Sequence, residues 1–235
     1  MKSSNKSKLL KLIALHPQII NWGPTLHSQG FLVPYYFNFR SAGALPKLRK
    51  ALVAELINEI KKYKIDVIAG VESAGMGWAA IVADRLNKPY VYVRKERKKF
   101  LNRRIVEGCF KPGARAVLID DTILLGKTIR SMAMGAKRDK LQITNILLLY
   151  TAQPSVAIYT TLSRWLNKQH IAIKALLSKI ELSDLFIKQG TLIPEIVELN
   201  NMYMINPYGW HKLRRAQKLL LILRKHKRKF RPAGL

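Results

Sequence analysis

The chain has 235 residues, of which 49% are hydrophobic, and this suits one α/β domain with an appendage and an ordinary core. Cys109 is the sole cysteine, so the chain cannot form an internal disulfide or a zinc site built from several thiolates; a reducing cytoplasmic location fits this. The net charge of +28, from 42 basic and 14 acidic residues, predicts attraction to polyanions such as nucleic acids, anionic membranes and phosphorylated metabolites. No apolar run approaches the roughly 20 residues that a membrane-spanning helix needs.

The first segment, around Leu9–Leu15, predicts a short amphipathic helix rather than a signal peptide, because Lys11 interrupts the apolar run and no cleavage site follows. From residue 46 onward, helix-like and strand-like patterns alternate along the chain. The predicted helices are Pro46–Tyr63, Met76–Leu86, Lys127–Lys137 and Ala157–Leu166. The predicted strands are Asp66–Val71, Pro89–Val93, Ala116–Asp120, Ile143–Tyr150 and His170–Leu176. This alternation predicts a central parallel sheet with helices on both faces.

In such sheets, ligands bind at the carboxyl ends of the strands. The chemistry is therefore expected at Gly70–Gly75, from Arg94 onward and at Asp120–Thr128.

The segment Val117–Thr128 carries the strongest chemical signal. A buried hydrophobic strand ends in two adjacent carboxylates, Asp120 and Asp121, and a short loop with Gly126 leads into a helix. Adjacent acids repel each other unless a sugar diol and a nearby divalent cation offset their charge. The following helix N-terminus suits a phosphate, and the glycine lets the backbone approach it closely. An acid pair one loop away from a phosphate cradle describes a ribose 5-phosphate site.

Two simpler interpretations of this segment exist. The acid pair could cap the following helix, although one acid would suffice for capping. The run from Gly126 to Thr128 is similar to the end of a nucleotide P-loop, but that motif requires a glycine where Asp121 stands.

The segment Val117–Thr128 resembles the phosphoribosyl diphosphate signature of the type I phosphoribosyltransferases. The resemblance covers roughly residues 22–190 and implies the fold of that family, in which helices flank a central parallel sheet. It divides the chain into an N-terminal hood that covers the base (residues 1–45), a phosphoribosyltransferase core (residues 46–190) and a basic, helical C-terminal extension (residues 191–235).

The resemblance implies that the chain binds phosphoribosyl diphosphate (PRPP) together with Mg²⁺, and it assigns no protein side chain as a metal ligand. Asp120 and Asp121 would hold the ribose and stabilise the positive charge that develops at its anomeric carbon. Leu124 and Leu125 stand where small hydroxyl or alanine residues are usual, so weaker phosphate binding is expected. The implied cradle for the 5-phosphate consists of Thr122, Leu124, Leu125, Gly126, Lys127 and Thr128.

Two loops complete the implied site. Ala69–Gly75 resembles the family's diphosphate loop, and Val91–Lys98, continuing to Gly108, resembles the mobile catalytic loop of orotate phosphoribosyltransferases. Cations in this second loop would neutralise the leaving diphosphate, in part across a dimer interface; the alternative is a solvated charged loop. Phe100 stands where those enzymes usually have a histidine. The implied loop residues are Glu72, Ser73, Ala74 and Gly75 in the diphosphate loop, Lys95 beside it, and Arg94 and Lys98 as catalytic residues.

The stretches Thr25–Gly30 and Pro34–Arg40 resemble the segment that covers the base in the orotate enzymes. Tyr36 and Phe37 would stack on the base, and His27 or Ser28 aligns with a lysine of that segment. The implied activity is transfer of a phosphoribosyl group from PRPP to orotate or a related base, in pyrimidine nucleotide synthesis, by a cytoplasmic homodimer.

Other functions remain open at this point. Gly70–Ser73 is also similar to the corresponding loop of adenine and xanthine phosphoribosyltransferases, and Tyr150–Pro154 lacks the arginine that often binds the orotate carboxylate. A PRPP-sensing regulator, a nucleic-acid-binding protein or an inert paralogue within a heteromer could use the same fold. Nucleic acid would bind through the basic residues 211–235, for which the alternative is a docked helix with solvated charges.

Overall fold

A computed structural model describes residues 3–26, 30, 32–97, 104–123, 126–151 and 156–229. Its centre is a six-stranded sheet in the order β5-β4-β3-β6-β7-β8. The strands are β3 (Val67–Val71), β4 (Tyr90–Val93), β5 (Val106–Glu107), β6 (Arg115–Ile123), β7 (Gln142–Thr151) and β8 (Ala172–Ser178). Neighbouring strands pair in parallel except β4 and β5, which are antiparallel.

Two hydrophobic clusters hold helices on the two faces of this sheet. The helices of the core are α3 (Pro46–Ile60), α4 (Ala74–Leu86), α5 (Lys127–Arg138) and α6 (Val156–Lys168). Helices α3 and α4 pack on one face of the sheet against Val117 and Ile119, while α5 and α6 pack on the other face against Ala116 and Leu118. Alternate side chains of β6 therefore belong to the two clusters, and both faces of the sheet are covered, as is usual for parallel sheets.

Before the core lie α1 (Ser3–Ala14), a short 3₁₀ turn, a hairpin of β1 (Ile20–Leu26) and β2 (Leu32–Phe37), and α2 (Phe39–Ala42). After the core lie α7 (Lys179–Lys188), α8 (Pro194–Ile205), a second 3₁₀ turn and α9 (Arg214–Lys229). Within the described residues, no helix combines the length and the apolar composition needed to cross a membrane.

The two ends of the chain pack against each other. The Trp210 Nε1 atom donates a hydrogen bond of 2.9 Å to the carbonyl of Leu32 in β2. The buried residues of α9, Ala216, Leu219 and Leu223, belong to the same hydrophobic cluster as β2. The segments named hood and extension from the sequence are therefore two parts of one packed body.

The parallel sheet flanked by helices is confirmed, and the differences from the sequence prediction are local. Strand β6 continues past Asp120 to Ile123, because the ladder with β7 extends to the pairing of Ile123 with Thr151. Strand β5, with two residues, is too short to produce a periodic pattern. Strand β8 begins at Ala172 rather than at His170, whose φ of 54° belongs to a turn.

Candidate active site

The acid pair lies near the C-terminal end of β6, where the sheet meets the hood. Asp120 and Asp121 are only 8% and 7% exposed. The Asp120 Oδ1 atom accepts a hydrogen bond from the Asp121 backbone N–H (2.9 Å), and the Asp121 Oδ1 atom accepts one from the Thr122 N–H (2.8 Å). Because successive residues of a strand point to opposite faces, the Asp121 side chain lies on the hood side and the Asp120 side chain on the α5 side.

The charge of this pair is only partly compensated by the protein. Burial, and then the negative charge of Asp121, raise the pKa of Asp120 well above its ordinary value, while Arg40 opposes this rise. The Arg40 Nε atom lies 3.2 Å from the Asp121 Oδ2 atom. A cationic group that a ligand brings close to these carboxylates would therefore bind favourably and would favour the ionised form of Asp120.

The diphosphate loop predicted from the sequence approaches the acid pair closely. A Cβ atom on Gly75 would lie 2.0 Å from the Ile119 carbonyl oxygen and 3.1 Å from the Asp120 Cα atom. A Cβ atom on Gly70 would lie 2.8 Å from the Met76 Cα atom. Glycine at these positions lets the start of α4 lie directly over the end of β6. Ser73 precedes α4 without a side-chain cap, and the Glu72–Ser73 peptide bond is cis.

The predicted phosphate cradle begins at Gly126, which precedes α5. Gly126 has a φ of 73°, and a Cβ atom there would meet the Leu162 side chain at 2.8 Å. Helix α5 has no side-chain cap, so backbone N–H groups of its first turn are free for an anion. Lys127 and Thr128 are exposed there. Leu124 and Leu125 lie outside the described residues.

One member of the predicted cradle is placed differently. The Thr122 Oγ1 atom is buried, and no hydrogen-bond partner is found for it within the described parts of the chain. Because this oxygen atom is buried, the hydroxyl faces the protein interior rather than solvent. In this conformation only its backbone N–H takes part in ordering the site, through the bond to Asp121.

The first residues of the basic loop that follows β4 contact the diphosphate loop. The Lys95 backbone N–H donates to the Glu72 Oε2 atom (2.9 Å), which joins this loop to the diphosphate loop. The Arg94 side chain lies 4.0 Å from the Glu107 carboxylate, and Arg97 lies 3.5 Å from Asp139. Lys98 and Phe100 fall outside the described residues.

Phe37 was predicted to stack on the base, and the structure corrects this prediction. Phe37 is 2% exposed and its ring packs on Phe186 (5.7 Å between centroids) and against Tyr35 and Tyr150, so no ring face is open to a base. Tyr36 is half-buried on the opposite face of β2, and its hydroxyl accepts a hydrogen bond from Asn21. Alternation along β2 explains why only one of the two aromatic residues can face outward. His27 lies outside the described residues.

Three residues of or near the site carry no role in the sequence interpretation. Arg40 ends the quoted motif Pro34–Arg40, yet nothing in the sequence pairs it with an acid 81 positions away. The Asp139 Oδ2 atom accepts hydrogen bonds from the N–H groups of Ile105 and Val106 and so fixes the return of the basic loop. Lys179 is buried beneath β2, where its Nζ atom donates to the Tyr35 carbonyl (3.1 Å).

A magnesium ion that arrives bound to a phosphorylated substrate fits the negative charge of this site. Among the described residues, no group of three or more histidine, cysteine, aspartate or glutamate side chains could hold a metal by itself. The buried acid pair, with the raised pKa of Asp120, nevertheless favours a cationic ligand. A metal that binds through the diphosphate and sugar oxygens of a substrate meets both observations.

The parallel sheet ends in an acid pair, with a glycine-bounded loop beside it and an uncapped helix after it. This is the place in α/β folds where ligands bind, and the helix N-terminus there suits a phosphate. The phosphoribosyl transferase domain family matches residues 41–175, and the chain belongs to this family. It is a phosphoribosyltransferase of the pentosyltransferase class of enzymes.

Individual relatives are similar to this chain in sequence, and solved structures are similar to it in fold. The chain is 27% identical to the orotate phosphoribosyltransferase of Bacteroides thetaiotaomicron over 205 residues, which is 86% of this chain and 93% of that protein. Its fold is similar to that of Leishmania donovani UMP synthase (TM-score 0.71, 21% identity), covering 86% of this chain but only 42% of that chain. The orotate phosphoribosyltransferase of Aeropyrum pernix has a TM-score of 0.61 at 22% identity, covering 77% of this chain and 98% of that chain.

Proposed function

We propose that this enzyme transfers the phosphoribosyl group of PRPP to orotate, with release of diphosphate, as a step of pyrimidine nucleotide synthesis. The observation that carries the proposal is the buried Asp120–Asp121 pair between the hood and the first turn of α5. The Bacteroides relative, which aligns with 86% of this chain, is named for orotate. We also propose that the enzyme is a homodimer and is located in the cytoplasm.

The acid pair would act on the ribose. The carboxylates accept hydrogen bonds from the ribose hydroxyls, and their negative charge stabilises the positive charge that grows on the anomeric carbon as the bond to diphosphate breaks. Burial strengthens this interaction, because water does not screen it. When bound with PRPP, Mg²⁺ supplies positive charge at the ribose hydroxyls and the diphosphate.

The loops around the pair would bind the two phosphate groups. The 5-phosphate accepts hydrogen bonds from the first-turn N–H groups of α5, beside the exposed Lys127 and Thr128. The diphosphate lies against Glu72–Gly75, with Arg94, Lys95 and Lys98 as the cations that offset its charge on departure. The hydrogen bond from Lys95 to Glu72 supports this arrangement, since it joins the two segments before any ligand binds. Closure of residues 94–108 would exclude the water that could otherwise hydrolyse the activated sugar.

Diphosphate release from PRPP and Mg²⁺ tests the proposal, with orotate, uracil, adenine, guanine, hypoxanthine and xanthine supplied separately. Release with orotate alone is the expected result, and release with a purine alone would replace orotate by the purine alternative. Asp121→Asn should abolish release while the melting temperature changes little, because the partner of Asp121, Arg40, is 62% exposed and can be solvated. Turnover that survives this substitution would contradict the assignment of the pair.

Nucleic-acid binding by residues 211–235 is a second candidate activity, supported by the exposed face of α9. Ala216, Leu219 and Leu223 of α9 face the protein, and the opposite face carries Arg214, Lys218, Lys225 and Arg228. None of these four has a carboxylate within ion-pair distance in the described part of the structure.

Lys218→Glu with Lys225→Glu should then abolish binding to a single-stranded RNA oligonucleotide, and wild-type binding should weaken steeply as salt rises. Lys188→Glu, a charge reversal on the exposed end of α7, is the matched control. RNA binding that does not depend on salt, or an equal loss of binding in the Lys188→Glu control, would contradict nucleic-acid binding by this face of α9.

A further inference from the structure

The cation that contacts the acid pair comes from the hood. Within the described residues, Arg40 is the sole basic side chain within ion-pair distance of Asp120 or Asp121. Only its Nε atom makes this contact, at 3.2 Å from the Asp121 Oδ2 atom, and the side chain is 62% exposed. The guanidinium therefore sits at the mouth of the site, with Asp121 behind it.

The backbone of Arg40 is held firmly while its side chain reaches out. Its N–H donates to the Asn38 Oδ1 atom (3.2 Å), and its carbonyl accepts from the Gly43 N–H (3.1 Å). The neighbouring Phe39 is 1% exposed, and its ring lies 5.6 Å from that of Tyr150 at the end of β7. Arg40 is thus placed by the same buried contact that seats the hood on the sheet.

Within the described residues, no other basic side chain lies within ion-pair distance of the acid pair, and the nearby Glu72 carboxylate accepts a hydrogen bond from the Lys95 N–H. Strand β3 ends without an ionisable residue, and the first turn of α4 contains none. Strand β7 contributes only Tyr150, whose burial raises its pKa well above the ordinary value and keeps it uncharged. Asp120, whose side chain lies on the α5 side of β6, has a raised pKa, caused first by burial and then by Asp121.

We propose that Arg40 is a positioning residue for the acid pair: it orients Asp121, and its positive charge favours the ionised form of Asp120 until the sugar and its metal arrive. Two adjacent buried carboxylates without a cation would take up a proton and present one negative charge instead of two. Because Arg40 belongs to the hood, correct seating of the hood also sets the charge of the catalytic pair. This inference rests on the proposed phosphoribosyl transfer at the same site.

The pH dependence of kcat/KM for PRPP tests the proposal with Arg40→Gln, Arg40→Lys and a control, Arg49→Gln. Arg49 also joins the hood to the core, by donating to the Gly43 carbonyl, but it does not contact the acids. Arg40→Gln should move the acidic limb of the profile upward by about one pH unit, with activity approaching that of the wild type at alkaline pH. Arg40→Lys should return the acidic limb most of the way to its wild-type position, and Arg49→Gln should not shift it.

A uniform loss of activity at every pH in Arg40→Gln, without rescue by lysine, would show a merely structural role and overturn the proposal. Wild-type protein without turnover on any base would instead defeat the proposed function, and the pair is then tested in the ligand-free protein. There, Arg40→Gln should lower the melting temperature at pH 8 in the wild-type background and leave it unchanged in an Asp121→Asn background. Equal effects in both backgrounds would overturn the proposal without reference to activity.

Discussion

Lys179 offers a prediction whose size can be worked out from the structure. Lys179 is 5% exposed. Its ammonium group donates to the Tyr35 carbonyl (3.1 Å) and lies 4.6 Å from the Tyr35 ring centroid and 5.6 Å from that of Tyr203. It has no carboxylate partner among the described residues. Burial lowers the pKa of Lys179 from 10.5 to about 7.

The lowered pKa makes stability depend on pH in a defined direction. Between about pH 7 and pH 10.5 the unfolded chain holds a proton on Lys179 that the folded protein has released, so stability increases with pH in this window and is lost as pH falls towards 7. The slope approaches about 1.4 kcal/mol per pH unit, so the gain between pH 6 and pH 9 is about 2–3 kcal/mol. Burial raises the pKa of Tyr35 to about 12 and that of Tyr203 higher still, so neither ring titrates in this window.

Lys179→Met removes the ionisable group and should remove this slope. Urea unfolding of both proteins at pH 6 and pH 9 measures it, as the free energy of unfolding of the wild type minus that of the variant. This difference should rise by about 2–3 kcal/mol from pH 6 to pH 9. Lys188→Met, on the exposed end of the same helix, should show no such rise. Parallel pH dependences of wild type and Lys179→Met would refute the reasoning.

Three further substitutions test the site. Asp120→Asn should lower turnover, and it should raise the melting temperature at pH 8 more than at pH 4. The reason is that the raised pKa of Asp120 makes its contribution to stability fall as pH rises. An equal rise in melting temperature at both pH values would contradict the raised pKa. Gly75→Ala should cost about 1–3 kcal/mol in unfolding experiments and weaken PRPP binding, since its Cβ atom would lie 2.0 Å from the Ile119 carbonyl, whereas Gly77→Ala on the same helix meets open space and should be tolerated. Lys98→Ala should reduce kcat far more than it weakens PRPP binding in titration calorimetry, and equal losses would argue against a transition-state role.

The core of the fold was predictable because its elements are long and periodic. Helix α3 and strands β3, β6 and β7 lie within a few residues of their predicted bounds, since buried strands are continuously apolar and α3 repeats leucine and isoleucine at helical spacing. Strand β5 escaped prediction because two residues carry no period. The end of β6 was misjudged because the acids at Asp120 and Asp121 looked like the start of a loop, although the ladder with β7 continues through them.

The site was predictable where one contiguous segment contains the chemistry, and not where distant segments meet. Asp120, Asp121 and Gly126 lie together on β6 and at the start of α5, and the sequence alone gives their spacing. Arg40 and Asp121 meet across 81 positions, which no local pattern encodes. Tyr36 and Phe37 look equivalent in sequence, and only the seating of β2 on Phe186 and Tyr150 decides which ring is buried.

The C-terminal extension has two faces with separate consequences. Leu219 and Leu223 of α9 are fully or almost fully buried in the hydrophobic cluster that also contains β1 and β2, so deleting residues 211–235 would expose apolar surface of this cluster and destabilise the fold. Loss of activity or of RNA binding after such a truncation would therefore not identify the function of the basic residues. Charge reversal on the exposed face of α9 leaves the buried face intact, so that substitution, rather than truncation, distinguishes a structural extension from a functional one.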